Sequence, residues 1–244
     1  MTTAGKILET EALSKQFGRL YALRDVNMSA GSGEFVTIFG RNGAGKTTFL
    51  RIISSLVRSY SGSVKLFGQN LKKAGESTRK KIGFLSHDSF LYKDLSALDN
   101  LNFYGKLYRV QPLKDRVENM LERVGLEAKR NMAVRTLSRG MKQRLSLARA
   151  FLHQPEFLLM DEPYTGLDEQ ACESLDELFT DFVQAGGAIV LTTHNISRGL
   201  KHAHKVVVFD RGSIVHEASA AELEADEFHE LYKELISRPA GTRS

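Results

Sequence analysis

One cysteine, Cys172, stands in a chain of 244 residues. A lone cysteine excludes an internal disulfide and every metal motif built on several cysteines, and it fits a reducing compartment. Its expected role is that of a small buried apolar side chain. No apolar run approaches the ~20 residues that a helix needs to cross a bilayer, and the opening stretch MTTAGKILETEALSKQ lacks the apolar core of a signal peptide. Any membrane contact is therefore expected through a partner. A dense basic block is missing too: the formal charge is +5, but the 34 Lys and Arg are spread along the chain. That pattern favours a mixed solvated surface over a nucleic-acid interface, so no nucleic-acid partner is expected. There is no internal repeat and no low-complexity segment. The apolar content of 42% is ordinary, and the length suits one α/β domain, or a core with an inserted subdomain, able to bury a proper core.

The first sixty-odd residues alternate short apolar runs with turns: 6–13, 22–30, 34–39 and 62–68. They predict a small, mostly antiparallel sheet wrapped around the strand at 34–39. From about Ser96 the period changes. Leu98, Leu101, Tyr104, Leu107 and Tyr108, then Leu113, Val117, Met120, Leu121 and Val124, fall at helical spacing. Pro112 reads as a helix start and Gly125 as a stop, so this stretch predicts a helical insertion. After Pro155 buried strands return at 157–160, 188–192 and 205–209, and a turn at Arg211 and Gly212 leads into 213–217. In the tail, Leu223, Phe228, Leu231 and Leu235 space as one apolar face of a helix over 220–236, expected to pack on the core.

Between the apolar run 34–39 and a helix-forming segment lies GRNGAGKT: Gly40, Arg41, Asn42, Gly43, Ala44, Gly45, Lys46 and Thr47, followed by Thr48. Strand, glycine-rich loop and helix in that order form the context in which G-x-x-x-x-G-K-[ST] binds nucleotide phosphates. Gly43 and Gly45 let the backbone curl so that N–H groups converge on phosphate oxygens ahead of the helix's positive end. Lys46 would reach the β- and γ-phosphates of ATP, and Thr47 would ligate Mg²⁺.

A second apolar run, 157–160, ends in Asp161 and Glu162. Beside a phosphate loop, Asp161 can hold Mg²⁺ through its water shell and Glu162 can polarise the water that attacks the γ-phosphate. A tight turn follows at 164–168, ending in Asp168. Thr192, Thr193 and His194 close another buried strand with an imidazole near where the γ-phosphate would lie.

Residues 137–144 read LSRGMKQR and run into a helical LSLARA. This segment resembles the LSGGQ-type signature of ATP-binding cassette (ABC) ATPases, and the phosphate loop, LLMDEP, the Gly-Leu-Asp turn and the Thr-His step appear in that family's order. Together the motifs span residues 17–194. The resemblance implies an ATP hydrolase with an α/β fold: a P-loop NTPase core with an antiparallel β subdomain and an inserted α-helical subdomain. One domain is expected over 1–244, with the catalytic core at 1–86 and 154–219, the helical and signature subdomain at 87–153, and a C-terminal helix and tail at 220–244. Ser138 and Gly140 open a helix, which makes a local anion site. The resemblance implies that this site completes the nucleotide pocket of a second cassette subunit in a head-to-tail dimer, expected to be a homodimer with two ATPs between the subunits.

Two positions depart from the commonest form of the family. Phe17 matches the aromatic, usually Tyr, that stacks on adenine; a ring face suffices for that role. His87 occupies the position of a glutamine near Mg²⁺ and the attacking water. Imidazole can donate or accept a hydrogen bond, which keeps a coupling role for this loop. Arg139 replaces a signature glycine, and Lys142 lies just beyond it, adding positive charge close to the partner's phosphates. Around His87 and LSRGMKQR the chain looks most like the ATP-binding subunits of haem exporters used in cytochrome c maturation, with drug or ion exporters and iron–sulfur assembly ATPases as rivals. The implied partner is an integral membrane permease, with this chain held peripherally on the cytoplasmic side of the inner membrane.

Overall fold

The computed structural model describes residues 5–237. Two sheets carry the fold. The first is antiparallel, in the order β2-β1-β4-β5, from β1 (Lys6–Phe17), β2 (Leu20–Gly31), β4 (Ser61–Leu66) and β5 (Gln69–Asn70). The second has six strands in the order β10-β9-β3-β8-β7-β6. In it β3 (Phe35–Gly40), β6 (Ile82–Leu85), β7 (Phe157–Asp161), β8 (Ala188–Thr192) and β9 (Lys205–Asp210) run parallel, and β10 (Ser213–Ser219) pairs antiparallel at the edge.

The strand feeding the phosphate loop therefore does not belong to the antiparallel sheet, as its neighbours in sequence suggested. All six residues of β3 are buried, so it needs cover on both faces, which a central parallel strand receives. In β1, by contrast, buried residues are mixed with exposed ones, which suits a sheet with one wet face. Parallel pairing also places the C-terminal ends of β3, β6, β7 and β8 along one edge, which is where ligands bind in open α/β sheets.

Helix α1 (Lys46–Ile53) follows the phosphate loop, and the short α2 (Glu76–Lys80) precedes β6. The expected helical insertion is present as α3 (Ala97–Tyr108), α4 (Leu113–Arg123) and α5 (Arg139–Phe151). Ser96 caps α3 by accepting the Asp99 amide, and its hydroxyl donates to the Asp99 carboxylate at 2.6 Å. Pro112 stands at the N-cap of α4, and Gly125, at φ +62°, follows its end. Leu101, Val117, Met120, Leu121 and Leu145 join Leu158 and Met160 of β7 in one core, which fixes the three helices to the parallel sheet.

Helix α6 (Glu169–Gln184) links β7 to β8 and buries Cys172. The short α7 (Ile196–Leu200) links β8 to β9. The C-terminal helix α8 spans Ala225–Ser237 after a single 3-10 turn at Ala220–Glu222, a later start than the spacing of the tail predicted. Phe228, Tyr232 and Leu235 pack on Phe39, Val206 and Val208, so this helix covers β3 and β9 as expected. Of the C-terminal helix and tail expected over 220–244, residues 238–244 lie outside the described residues, as do the first four of the chain.

Where α5 ends, His153 closes on the sheet. Its Nε2 lies 3.0 Å from the Ile82 carbonyl oxygen and its ring stacks on Tyr108 at 4.0 Å. Burial pushes its pKa down to about 4, so the folded protein holds it neutral. Unfolding releases it to an ordinary imidazole value, so below about pH 6.5 the unfolded chain binds a proton that the folded chain refuses. This contribution is complete above that pH and is lost as pH falls towards 4. Urea unfolding at pH 7 and pH 5 should show about 2 kcal/mol of lost stability from this group. The loss should be absent in His153→Phe; an equal loss in the variant would remove His153 as its source.

Candidate active site

Each motif residue arrives at the sheet edge by a different route. Gly40 ends β3 at φ +155°, where a Cβ would lie 2.4 Å from the Phe209 carbonyl oxygen. Gly45 turns at φ +106° directly before α1, and a Cβ there would meet the Ala22 carbonyl oxygen at 2.4 Å. The loop thus needs glycine at both positions, for conformation and for close approach. The contact with Ala22 also seats the loop against the β1–β2 hairpin, whose tip pairs Phe17 with Leu20. Phe17 is 53% exposed, and the Lys15 ammonium lies over its ring, 4.6 Å from the centroid.

Lys46 is buried, and its amine donates to the carbonyl oxygens of Gly40 at 2.5 Å and Arg41 at 3.1 Å. Burial lowers its pKa from the ordinary lysine value, while the nearby Glu162 and Asp161 carboxylates oppose that shift. A cation lies folded into its own loop with two carboxylates close by, within reach of an anion at the loop.

Asp161 ends β7 and joins two other elements. Thr47 at the start of α1 donates to its Oδ2 at 2.8 Å, and Thr192 at the end of β8 donates to its Oδ1 at 2.6 Å. One residue later the backbone leaves the strand: Glu162 adopts φ +51° and its amide donates to the Thr192 carbonyl oxygen at 3.0 Å. A left-handed glutamate costs conformational energy and marks a position that its surroundings hold in place. Its carboxylate accepts from the Thr193 hydroxyl at 3.1 Å and from His194 Nδ1 at 2.8 Å. Thr193 is buried and His194 is exposed.

The signature helix faces the same region. Ser138 is the N-cap of α5 and accepts the Met141 amide at 3.2 Å. Gly140 permits close approach of the following loop, because a Cβ there would lie 2.6 Å from the Gly166 carbonyl oxygen. Gln143 donates to the Pro163 carbonyl oxygen at 2.9 Å. His87, Arg139, Lys142, Asp161 and Glu162 border one cavity of about 400 Å³. Arg139 and Lys142 therefore stand beside this chain's own acidic pair. Asp168 caps α6 by accepting the Ala171 amide at 2.9 Å.

The structure thus brings Lys46, Thr47, Asp161, Glu162 and His194 together, with His87 across the cavity. Ser138, Gly140 and Asp168 instead serve local turns and caps of their own chain. Sequence reasoning assigned no ligand-orienting role to Thr192 or Thr193, although both stood in the recognised Thr-His step; their hydroxyls orient the two carboxylates. It also missed a buried hub at Asp176, which accepts from Tyr164 Oη and Lys201 Nζ, each at 2.7 Å. Against the cost of burial, the His202 ring at 3.2 Å, then Lys201 and Tyr164, draw the Asp176 carboxyl below its usual range, and burial and that same carboxylate push the Tyr164 phenol upward. No spacing rule reveals this hub, because its members meet only through the packing of α6 and α7.

A family model described as ABC transporter matches residues 23–165. The Nod factor export ATP-binding protein I of Cupriavidus pinatubonensis is 33% identical over 219 residues, covering 89% of this chain and 67% of that protein. The bacitracin transport ATP-binding protein BcrA of Enterococcus faecalis is 34% identical over 218 residues, covering 89% and 70%. The cytochrome c biogenesis ATP-binding export protein CcmA of Haemophilus influenzae is 35% identical over 187 residues, covering 77% and 88%. Among solved structures, a dimeric post-hydrolysis state of the ATP-binding cassette MJ0796 bound to ADP and Pi matches with a TM-score of 0.80 and 28% identity, over 87% of this chain and 98% of that one. An ATP-binding subunit of an ABC transporter matches with a TM-score of 0.86 and 27% identity, over 94% and 99%. With these relatives and the geometry above, the chain belongs to the ABC transporter family as an ATP-hydrolysing cassette subunit.

Proposed function

We propose that this chain powers an exporter by binding and hydrolysing ATP in a head-to-tail dimer, coupled to a separate membrane subunit at the cytoplasmic face of the inner membrane. The observation that carries this reading is the Asp161 carboxylate, shared between the phosphate-loop helix and the end of β8. Lys46 would leave the loop carbonyls to balance the β- and γ-phosphate charge. Thr47 and Asp161 offer hard oxygen donors, which suit a Mg²⁺ ion whose shell is completed by water and nucleotide phosphates. When bound, that ion would neutralise charge on the transferring phosphate. Glu162 would polarise the attacking water, oriented by Thr193 and His194, and Phe17 would offer its ring to adenine.

Ser138, Gly140 and Asp168 would meet nucleotide across the dimer, in keeping with the dimeric state of the MJ0796 cassette. We read residues 87–153 as the moving helical subdomain and His87 as the point where changes at the γ-phosphate pass to the membrane partner. Among the described residues no helix is long and apolar enough to cross a membrane, which fits peripheral attachment. For the cargo we favour haem export in cytochrome c maturation, on the residues around His87 and on a match that covers 88% of CcmA. The Nod factor and bacitracin relatives, which align over 89% of this chain, support export of another bulky molecule as the second reading.

Lys46→Ala should lose ATP affinity, whereas Glu162→Gln should bind ATP, accumulate as a dimer and turn over roughly 10²- to 10⁴-fold more slowly. Normal turnover by Glu162→Gln would end the assignment of this base. Lys46→Ala chains mixed with Ser138→Arg chains create dimers with one intact composite site, so partial activity should return. Mixed dimers as inactive as either parent would rule out shared sites. Affinity capture of Glu162→Gln from native membranes should recover a multi-helix protein, and deletion of the gene should deplete c-type cytochromes. Unchanged cytochromes would remove haem as cargo, and capture without a membrane protein would remove the transporter reading.

A further inference from the structure

A second cavity lies away from the phosphate loop, between the turn after α1 and the segment joining β5 to α2. It has a volume of about 400 Å³, and its lining includes Ser55, Arg58, Tyr60, Lys72 and Arg79 but no carboxylate. Three cations face one space, and neither Arg58 nor Arg79 has an ion-pair partner among the described residues. The nearest acid in sequence to Arg79, Glu76, bonds to Lys80 at 2.8 Å and feels the Arg79 charge without an ion pair to it. Lys72 lies over the Tyr60 ring, 4.6 Å from its centroid, and donates to the Tyr60 carbonyl oxygen at 3.1 Å.

Two further donors sit inside. The Ser55 and Tyr60 hydroxyl oxygens are both buried from solvent, and neither has a hydrogen-bond partner in the protein. Neither hydroxyl is committed to a protein acceptor, so both donors are left to an acceptor that enters this basic cavity. Burial raises the Tyr60 pKa, which keeps that phenol a donor. Three cations and two hydroxyl donors match an acceptor carrying more than one negative charge and several oxygens. Val57 and Leu71 supply an apolar wall, and the volume exceeds what one phosphate group needs.

We propose that this cavity is an anion site for a phosphate-bearing ligand, in which Arg58, Lys72 and Arg79 balance the phosphate charge and Ser55 and Tyr60 donate to its oxygens. The phosphate can come from a small soluble molecule or from an anionic lipid headgroup, and both present the same oxygens to these donors. The site is separate from the nucleotide pocket and does not depend on which cargo the transporter moves.

The test uses the full chain saturated with ADP and Mg²⁺, so that the phosphate loop is already filled. Titration with inorganic pyrophosphate, followed by calorimetry, should reveal one further equivalent. Arg58→Gln/Arg79→Gln should weaken it ten-fold or more, and Tyr60→Phe by roughly ten-fold, while ADP affinity stays unchanged. In a parallel arm, vesicles of phosphatidylcholine with phosphatidic acid are compared with phosphatidylcholine alone. Co-sedimentation with the acidic vesicles that pyrophosphate displaces and the double variant abolishes assigns a lipid headgroup. Pyrophosphate binding without vesicle binding assigns a soluble phosphate. Absence of binding in both arms, or binding that the double variant retains, overturns the proposal. So does uptake only at concentrations where any cationic surface collects anions, which would mean an adventitious ion only.

Discussion

The carboxylate of Asp161 is the tie on which the rest of the site depends. Its two oxygens accept from hydroxyls on α1 and β8, elements that come from opposite ends of the sequence. Charge-assisted bonds of this kind are short and directional, and inside the protein they are stronger than in water. Through them the first turn of the phosphate-loop helix is registered against β7 and β8, so the position of Lys46 is set relative to Glu162. Thr192 is fully buried, and its hydroxyl is far closer to this carboxylate, at 2.6 Å, than to the Met160 carbonyl oxygen at 3.5 Å.

Strain is placed directly after the tie. Glu162 departs from the strand in a left-handed conformation, and the segment that follows is gripped from two sides. On one side, α5 approaches through Gly140 and through the Gln143 amide. On the other, Tyr164 reaches the buried Asp176 carboxylate, which also meets Lys201 beyond α7. A movement of α5 therefore acts on the backbone next to Glu162, with no flexible linker between them.

The same helix also reaches the far side of the sheet. Arg149 on α5 is buried and donates to the Phe84 carbonyl oxygen of β6 at 2.6 Å, with its guanidinium about equally distant from the Phe90 and Tyr104 rings, at 5.5 and 5.4 Å. Burial lowers its pKa, and the cation is stabilised by ring faces and a carbonyl instead of a carboxylate. The strand that leads to His87 and the helix that begins at Ser138 are thereby tied at one point.

The phosphate loop, the acidic strand end and the signature were legible in the sequence because each is a local device. Glycines at fixed offsets, an apolar run ending in carboxylates and a serine opening a helix announce themselves within a few residues. The helical insertion was legible for the same reason, from its period and from Pro112 and Gly125. The sequence by itself did not decide the sheet that holds β3, since an apolar run of six residues pairs equally well with antiparallel neighbours. Only the tertiary structure, by burying both faces of β3, placed it between β8 and β9. Tertiary packing likewise decided the bonds of Thr192 and Thr193 to the carboxylates, the hub at Asp176 and the union of His87, Arg139 and Glu162 around one cavity. These contacts join residues far apart in the chain, so no local periodicity encodes them; they exist once hydrophobic burial has fixed the distances between elements.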